Sequence, residues 1–175
     1  EEGMKNKWGV NYGQKLINFH GDDVKYRAMA YASAGSDARM SGCDLGVVIN
    51  SGSGNQGITA SVPVATYGQG LQKSKEEILR AVCFADLIAI HEKTGIGPLS
   101  AFCGAVCAGS GAAAGIAFLR GCSLEQIKQV IITTLGITSG MVCDGAKPSC
   151  AAKIAASVTI LCSSISVDSR TSLSF

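Results

Sequence analysis

Ile49 to Ile58 reads INSGSGNQGI. Within it, Gly52 to Gly57 matches G-x-G-x-x-G letter for letter, and Leu45-Gly-Val-Val-Ile upstream has the make-up of a buried strand. Glu76 and Glu77 stand about as far downstream as the acid that binds a ribose hydroxyl. On that reading the chain would be a doubly wound α/β protein. The reading requires a helix after the glycines and a second parallel strand beyond it. Here the helix after the loop would carry Pro63 and end near Gly70, and the next element opens with a helix cap at Ser74. There is no βαβ unit, and Glu76 and Glu77 open a helix instead of closing a strand.

Working outward, helical signals dominate. Ser74-Lys-Glu-Glu77 fits a capping box, and Ile78, Ala81, Val82, Ala85 and Ile88 follow at helical spacing. His91 and Lys93 suit the last turn, His91 as a helix-end cation, and Gly95 suits the position just past the helix. Ser123-Leu-Glu-Gln126 is a second capping box, with Ile127, Val130, Ile131 and Leu135 as its stripe. An Ala/Gly-rich helix is expected from about Leu99 to Leu119, and a last one from about Cys150 to Ile165. Asp22 to Met40 holds a helix with Val24, Ala28 and Tyr31 on one side. Gly35-Ser-Asp-Ala-Arg-Met reads as a turn into another element, and Lys15 to Phe19 as a short apolar step. The β-branched Val62, Val64, Val158, Thr159 and Ile160 are taken as buried helix positions. The expectation is an all-α fold: a compact bundle of several helices with Gly-rich connecting loops, one domain over residues 1–175.

Composition narrows the class. At 175 residues the chain can bury one sizeable core. Hydrophobic residues make up 47% and aromatics only 6%, beside 22 glycines, so close backbone packing is expected in place of large core side chains. A formal charge of +2 with no block of Lys or Arg argues against nucleic acid as a partner. The eight cysteines could suggest a disulfide scaffold, but the chain is rich in aliphatics and opens Glu1-Glu2-Gly3 without a basic or apolar leader. Free or metal-binding thiols in a cytoplasmic protein are expected. Ala101 to Leu119 has the length of a membrane helix and no charge, yet Ala and Gly gain little from lipid. It reads as a buried helix, with no membrane as partner.

Two stretches carry chemistry. In the opening loop, Ser51, Ser53, Asn55 and Gln56 offer hydroxyls and amides, and Gly52, Gly54 and Gly57 permit unusual backbone angles. A helix starting near Ile58 would point free N–H groups at an anion, though a tight turn without a ligand accounts for the same residues. In Gly140-Met-Val-Cys-Asp-Gly-Ala-Lys-Pro-Ser-Cys150, two cysteines flank a turn, and Cys103 and Cys107 share a helix face at i and i+4. Zinc knuckles and common ferredoxin spacings are absent. A cluster held by three thiolates stays open, beside the reading of small buried hydrophobes, which is preferred for Cys43, Cys83, Cys122 and Cys162. Lys147 can face an anion or pair with Asp144. Asp37 and Arg39 can line a pocket or form an ion pair. His20 has no evident partner, and Trp8 and Tyr12 read as a packing pair at i and i+4.

Several segments then become recognisable together: S-D-A-R-M-S-G at 36–42, N-S-G-S-G-N-Q-G-I-T-A at 50–60, G-P-L-S-A-F-C-G-A-V at 97–106 and G-M-V-C-D-G-A-K-P-S-C at 140–150. In this combination and order, from about Glu1 to Ala156, the chain resembles the L-cysteine desulfidase family, which belongs with the iron–sulfur L-serine dehydratases in their cluster-bearing α-domain. The resemblance implies a [4Fe–4S] cluster on Cys103, Cys143 and Cys150, with Cys107 outside the pattern. It implies α,β-elimination, of L-cysteine to pyruvate, ammonia and sulfide or of L-serine to pyruvate and ammonia. The substrate would be held by Ser51, Gly52, Ser53, Gly54, Asn55, Gln56, Gly57 and Lys147. The family's base, a cysteine in an N-terminal segment, has no counterpart here, so the catalytic base is expected outside this chain. The chain resembles the C-terminal cluster-binding part, to be completed by an N-terminal region or another subunit, with a homo-oligomer as the other arrangement expected. Its last residues, Ser163 to Phe175, depart from the family. The alternative is a non-catalytic helical binding or assembly domain whose Gly-rich loop binds an anion.

Overall fold

The computed structural model describes the backbone of residues 1–97 and 99–167, and the side chains of the same residues as far as residue 159. After a 3-10 turn at Glu2–Met4 come α1 (Tyr12–His20), α2 (Val24–Met40), α3 (Gly54–Gly70), α4 (Lys75–Ile96), α5 (Ala105–Leu119), α6 (Leu124–Thr138) and α7 (Ser149–Val167). Among the described residues there is no strand, only two isolated bridges, Asn50 with Ser53 and Phe102 with Val142. The fold is all-α, as the missing βαβ unit required.

The bundle is built around α5, which packs against α3, α4, α6 and α7. Every α5 residue except Phe118 is buried. Its small residues are what permit four neighbours at once. A Cβ on Gly111 would lie 2.3 Å from the Ala85 carbonyl oxygen of α4, and one on Gly109 would lie 2.6 Å from Ser157 Cβ of α7. The core is accordingly made largely of alanine, with Ile116, Ile154, Val64 and Val158 as its largest fully buried apolar side chains. No helix among the described residues is long and apolar enough to cross a membrane.

Both capping boxes form. Ser74 accepts from the Glu77 amide while Glu77 reaches back to the Ser74 amide, and Ser123 and Gln126 do the same. Other boundaries differ from the sequence reading. Helix α4 runs through Gly95 and stops at Gly97, whose φ of 81° lies in the left-handed region that glycine tolerates. Leu99 to Gly104 is not helical, because residues 101–103 pair with residues 141–143 instead. Gly35 to Met40 is no turn: α2 continues through it, and Gly35 leaves room for Ile58 of α3, 3.3 Å from where its Cβ would stand. Lys15 to Phe19 lies within α1.

Partners also differ. Trp8 precedes α1, so helical spacing does not apply to it; its indole donates to Glu2, while the Tyr12 amide donates to Asp37. His20 stacks on Tyr26 at 4.6 Å. Seven cysteines are free among the described side chains. Cys83 is exposed, contrary to expectation, beside exposed Leu79 and Leu87 on α4, whose apolar run is wider than the seam its neighbours cover. Cys43 and Cys122 are half-buried, and the side chain of Cys162 lies outside those described, as does the departing tail beyond residue 167.

Candidate functional site

The glycine-rich loop is a tight turn that ends in a helix. Asn50 and Ser53 exchange both backbone hydrogen bonds, at 3.3 and 3.1 Å. Between them Ser51 has φ 50° and Gly52 φ 93°, the pairing of positive angles that such two-residue turns demand. Side chains then lock the turn. The Ser51 hydroxyl donates to Asn50 Oδ1 at 2.7 Å, and Gln56 Nε2 donates to the Ser51 carbonyl at 3.3 Å. Asn50 Nδ2 donates to the Asp86 carboxylate at 2.8 Å and also to the Asp86 carbonyl at 3.3 Å. Burial pushes the Asp86 carboxyl up, against the opposing pull of Asn50.

Helix α3 begins at Gly54, four residues before Ile58, so the helix takes in Asn55, Gln56 and Gly57. Ser53 caps it without a side-chain hydrogen bond, and the amides of Gly54, Asn55 and Gln56 have no acceptor among the described residues. Arg39 of α2 adds a cation there: a Cβ on Gly54 would lie 2.6 Å from its guanidinium Nε. Unpaired amides, the helix dipole and a guanidinium together favour an anion. Asp37 does not pair with Arg39. It is 1% exposed, takes the Tyr12 amide on one carboxylate oxygen at 2.8 Å, and leaves the other without a partner.

The same loop meets the cysteines through Gln56. A Cβ on Gly104 would stand 2.4 Å from Gln56 Cδ, so Gln56 packs on the residue next to Cys103. The Cys103 amide donates to the Met141 carbonyl at 2.9 Å and the Cys143 amide to the Ala101 carbonyl at 2.8 Å, on either side of the Phe102–Val142 bridge. Side chains alternate faces on extended backbone, so Cys103 and Cys143 project to the face opposite exposed Phe102 and Val142. As a diagonal pair their backbones stand about 7 Å apart. Cys150 joins from the first turn of α7, its thiol donating to the Gly145 carbonyl at 3.6 Å. Burial pushes the Cys103 thiol up. The Ala105 amide and the Lys153 ammonium oppose that, while Cys143 and Cys150 add to it, so the three thiols are electrostatic neighbours.

Lys153, one turn beyond Cys150, spans this group. Its ammonium donates to the Val142 carbonyl at 3.0 Å and pairs with Asp144. Lys153 and then Ser149 hold the Asp144 carboxyl down to about 2. Lys147, expected either at an anion or on Asp144, is exposed and makes no hydrogen bond or ion pair among the described residues, since Asp144 is taken by Lys153. Cys107 lies buried on α5 near Glu92 and Lys93 of α4, and it shares no helix face with Cys103, which precedes α5 on non-helical backbone. Glu92 accepts from the Ser110 hydroxyl at 2.7 Å, and burial pushes its carboxyl up to about 7.

The residues drawn together are thus Ser51, Gln56, Cys103, Cys143 and Cys150, while Lys147 lies exposed on the loop between the last two. Asn55 sits in the first turn of α3 with its side-chain oxygen buried and unpartnered. Sequence reading did not single out Asp86, Glu92 or Lys153. Asp86 had a signal, a lone carboxylate inside the apolar run Ala81 to Ile90, and Lys153 stands at helical spacing from Cys150.

No three His, Cys, Asp or Glu side chains among the described residues close on one point as ligands of a single ion. A multi-iron cluster takes each cysteine on a different iron, so its ligand sulfurs stand further apart than those around a single ion. The donor set fits such a group: three thiols from three segments, one of them buried, beside a lysine ammonium.

Comparison with known proteins places the chain. It is similar to a UPF0597 protein of Desulfitobacterium hafniense, 58% identical over 156 residues, covering 89% of this chain and 36% of the relative. One from Lachnoclostridium phytofermentans is 59% identical over 158 residues, covering 90% and 38%. One from Clostridium perfringens is 42% identical over 176 residues, covering 96% and 41%. The chain therefore spans about two fifths of the length of these curated relatives. No solved structure gives a significant match. The family model of the serine dehydratase alpha chain matches residues 1–171, and the chain belongs to that family.

Proposed function

We propose that this chain is the cluster-binding part of a cytoplasmic iron–sulfur lyase that eliminates the β-substituent of a small L-amino acid. L-cysteine would give pyruvate, ammonia and sulfide, and L-serine would give pyruvate and ammonia. The observation that carries the reading is the meeting of Cys103, Cys143 and Cys150 beside the uncapped start of α3.

In this reading Cys103, Cys143 and Cys150 hold a [4Fe–4S] cluster. Such a cluster, when bound by three thiolates, supplies an iron able to accept a thiol or hydroxyl as a Lewis acid. The chain's own residues bind and orient. The amides of Gly54, Asn55 and Gln56, with Arg39 beside them, take the substrate carboxylate. Ser51, Gly52, Ser53 and Gly57 shape the turn that aims those amides, and Lys147 reaches the same anion from the rim. Gln56, packed on Gly104, sets the distance between carboxylate and thiols. Loss of the α-proton and the β-substituent leaves 2-aminoacrylate, which tautomerises and hydrolyses to pyruvate and ammonia. The base that takes the α-proton belongs to the part of the relatives that this chain does not span, or to another subunit.

Anaerobic reconstitution of wild type and Cys143→Ser tests the reading. About four irons are expected in the wild type and a clear loss in the variant. Equal iron in both removes the cluster assignment and leaves a helical domain with an anion site. Pyruvate release from L-cysteine and L-serine, with and without the remaining three fifths of a relative, then tests the reaction.

A further inference from the structure

We propose that Lys153 is the positioning residue of the thiol site: it clamps the 142–144 segment to α7 and so holds Cys143 and Cys150 in register with Cys103. The inference rests on the cluster reading above only for its iron readout.

The three cysteines come from separate pieces of chain, and little else joins two of them. Cys103 and Cys143 are tied through the short bridge at Phe102 and Val142. Cys150 stands on α7, and the loop between Cys143 and Cys150 is exposed through residue 148. Among the described residues, beyond Ser149, which opens α7 and donates to Asp144, the polar ties from α7 to the 142–144 segment are those of Lys153, to the Val142 carbonyl and to the Asp144 carboxylate. Its side chain is 19% exposed, which is low for lysine. Its ammonium also lies in the field of Cys103 and Cys150, where a fixed positive charge offsets the mutual repulsion of thiolates gathered in one place. Asp144 serves the clamp, since it carries a charge that Lys153 can hold and a second bond from Ser149 at 2.9 Å.

Hydrogen exchange on the iron-free chain tests the clamp directly. In Lys153→Met, the amides of Cys103 and Cys143, which bond across the bridge, should exchange about tenfold faster, with the α5 amides unchanged. Lys153→Arg should restore protection, because a guanidinium can reach the same carbonyl and carboxylate. Asp144→Asn, on an exposed loop, keeps the test open if Lys153→Met fails to fold, and should give a smaller acceleration. After anaerobic reconstitution, Lys153→Met should lose iron to a chelator about tenfold faster than wild type while Lys153→Arg does not. Unchanged exchange at Cys103 and Cys143 overturns the inference whether or not iron binds. Absence of iron from the wild type overturns the proposed function and leaves the exchange result to decide the clamp.

Discussion

The turn at Asn50–Ser53 and the loop at Cys143–Cys150 lie on the same site, yet they are held in opposite ways. The first is built into the bundle. Asn50 is 6% exposed, it is bonded to Asp86 on α4, and Gln56 braces the turn from within α3. The second lies at the surface, tied to α7 by Lys153 and by Ser149, the first residue of that helix. A buried polar network sets one geometry, because each unmade bond there exposes a group to desolvation without a partner. An ionic tie at the surface competes with water, so it adds little to global stability even where it sets a local geometry. In the proposed function the difference divides the work: a buried network shapes the turn at the start of α3, and on the other side the register of the thiols rests on Lys153.

Glycine substitutions should separate the two regions most clearly. Gly57→Ala places a Cβ 2.0 Å from the Val48 carbonyl oxygen, a backbone atom that cannot step aside. A loss of about 3 kcal/mol is expected, read as a drop in the urea midpoint. Gly145→Ala meets nothing within 4 Å and pays only for its φ of 91°, about 1 kcal/mol. Equal losses would erase the contrast.

Asp86→Ala should come next, at about 2 kcal/mol, since it strips Asn50 of its carboxylate partner. Asp86→Asn retains an acceptor and should lose less. Chemical denaturation of the pair, alongside amide shifts at Gly52 to Gly57, would show whether Asp86 fixes the turn.

A pH series sharpens the buried half further. Burial raises Glu92 from its ordinary 4.5 to about 7, with the Ser110 hydroxyl opposing. The folded state then holds this proton more tightly than the unfolded one, so its contribution is full below about 4.5 and is lost as pH rises through about 7. Stability should fall by up to about 2 kcal/mol across that window, allowing for solvent screening of a group that is not fully buried. Glu92→Gln should flatten the slope, leaving the smaller fall of the same sign from Asp86. A slope unchanged in Glu92→Gln would place the titration elsewhere.

The smallest effect is expected at the surface. Lys153→Met should leave the urea midpoint of the iron-free chain where it is, while local exchange at Cys103 and Cys143 rises. A large drop in midpoint would mean that the loop is as integral to the bundle as the turn.

Much of the bundle was legible because its signals are local. The capping boxes at Ser74 and Ser123 concern groups within three residues of one another, and both formed. The absence of a second strand after INSGSGNQGI excluded a dinucleotide fold, and the end of α3 at Gly70 agrees with that reading. Gly35 and Gly95 mislead for one reason. A glycine that serves as a gap for a neighbouring helix, or that merely sits in a helix, looks in sequence like one that ends it. Gly35 makes room for Ile58, and only Gly97 takes the left-handed angle. The exposure of Cys83 is not legible because spacing shows that α4 has an apolar run and not how much of it its neighbours cover.

By itself the sequence determined that the chain is helical, that its helices pack through small residues, and which thiols and amides it has for chemistry. Those properties follow from short-range backbone bonding and from side-chain volume. Tertiary structure alone decided that Asp86 would lock Asn50 from 36 residues away, that Gln56 would rest on Gly104, and that Lys153 would reach Val142. Such contacts form when helices dock, and docking is set by the shape of the whole core, which no single stretch of residues records.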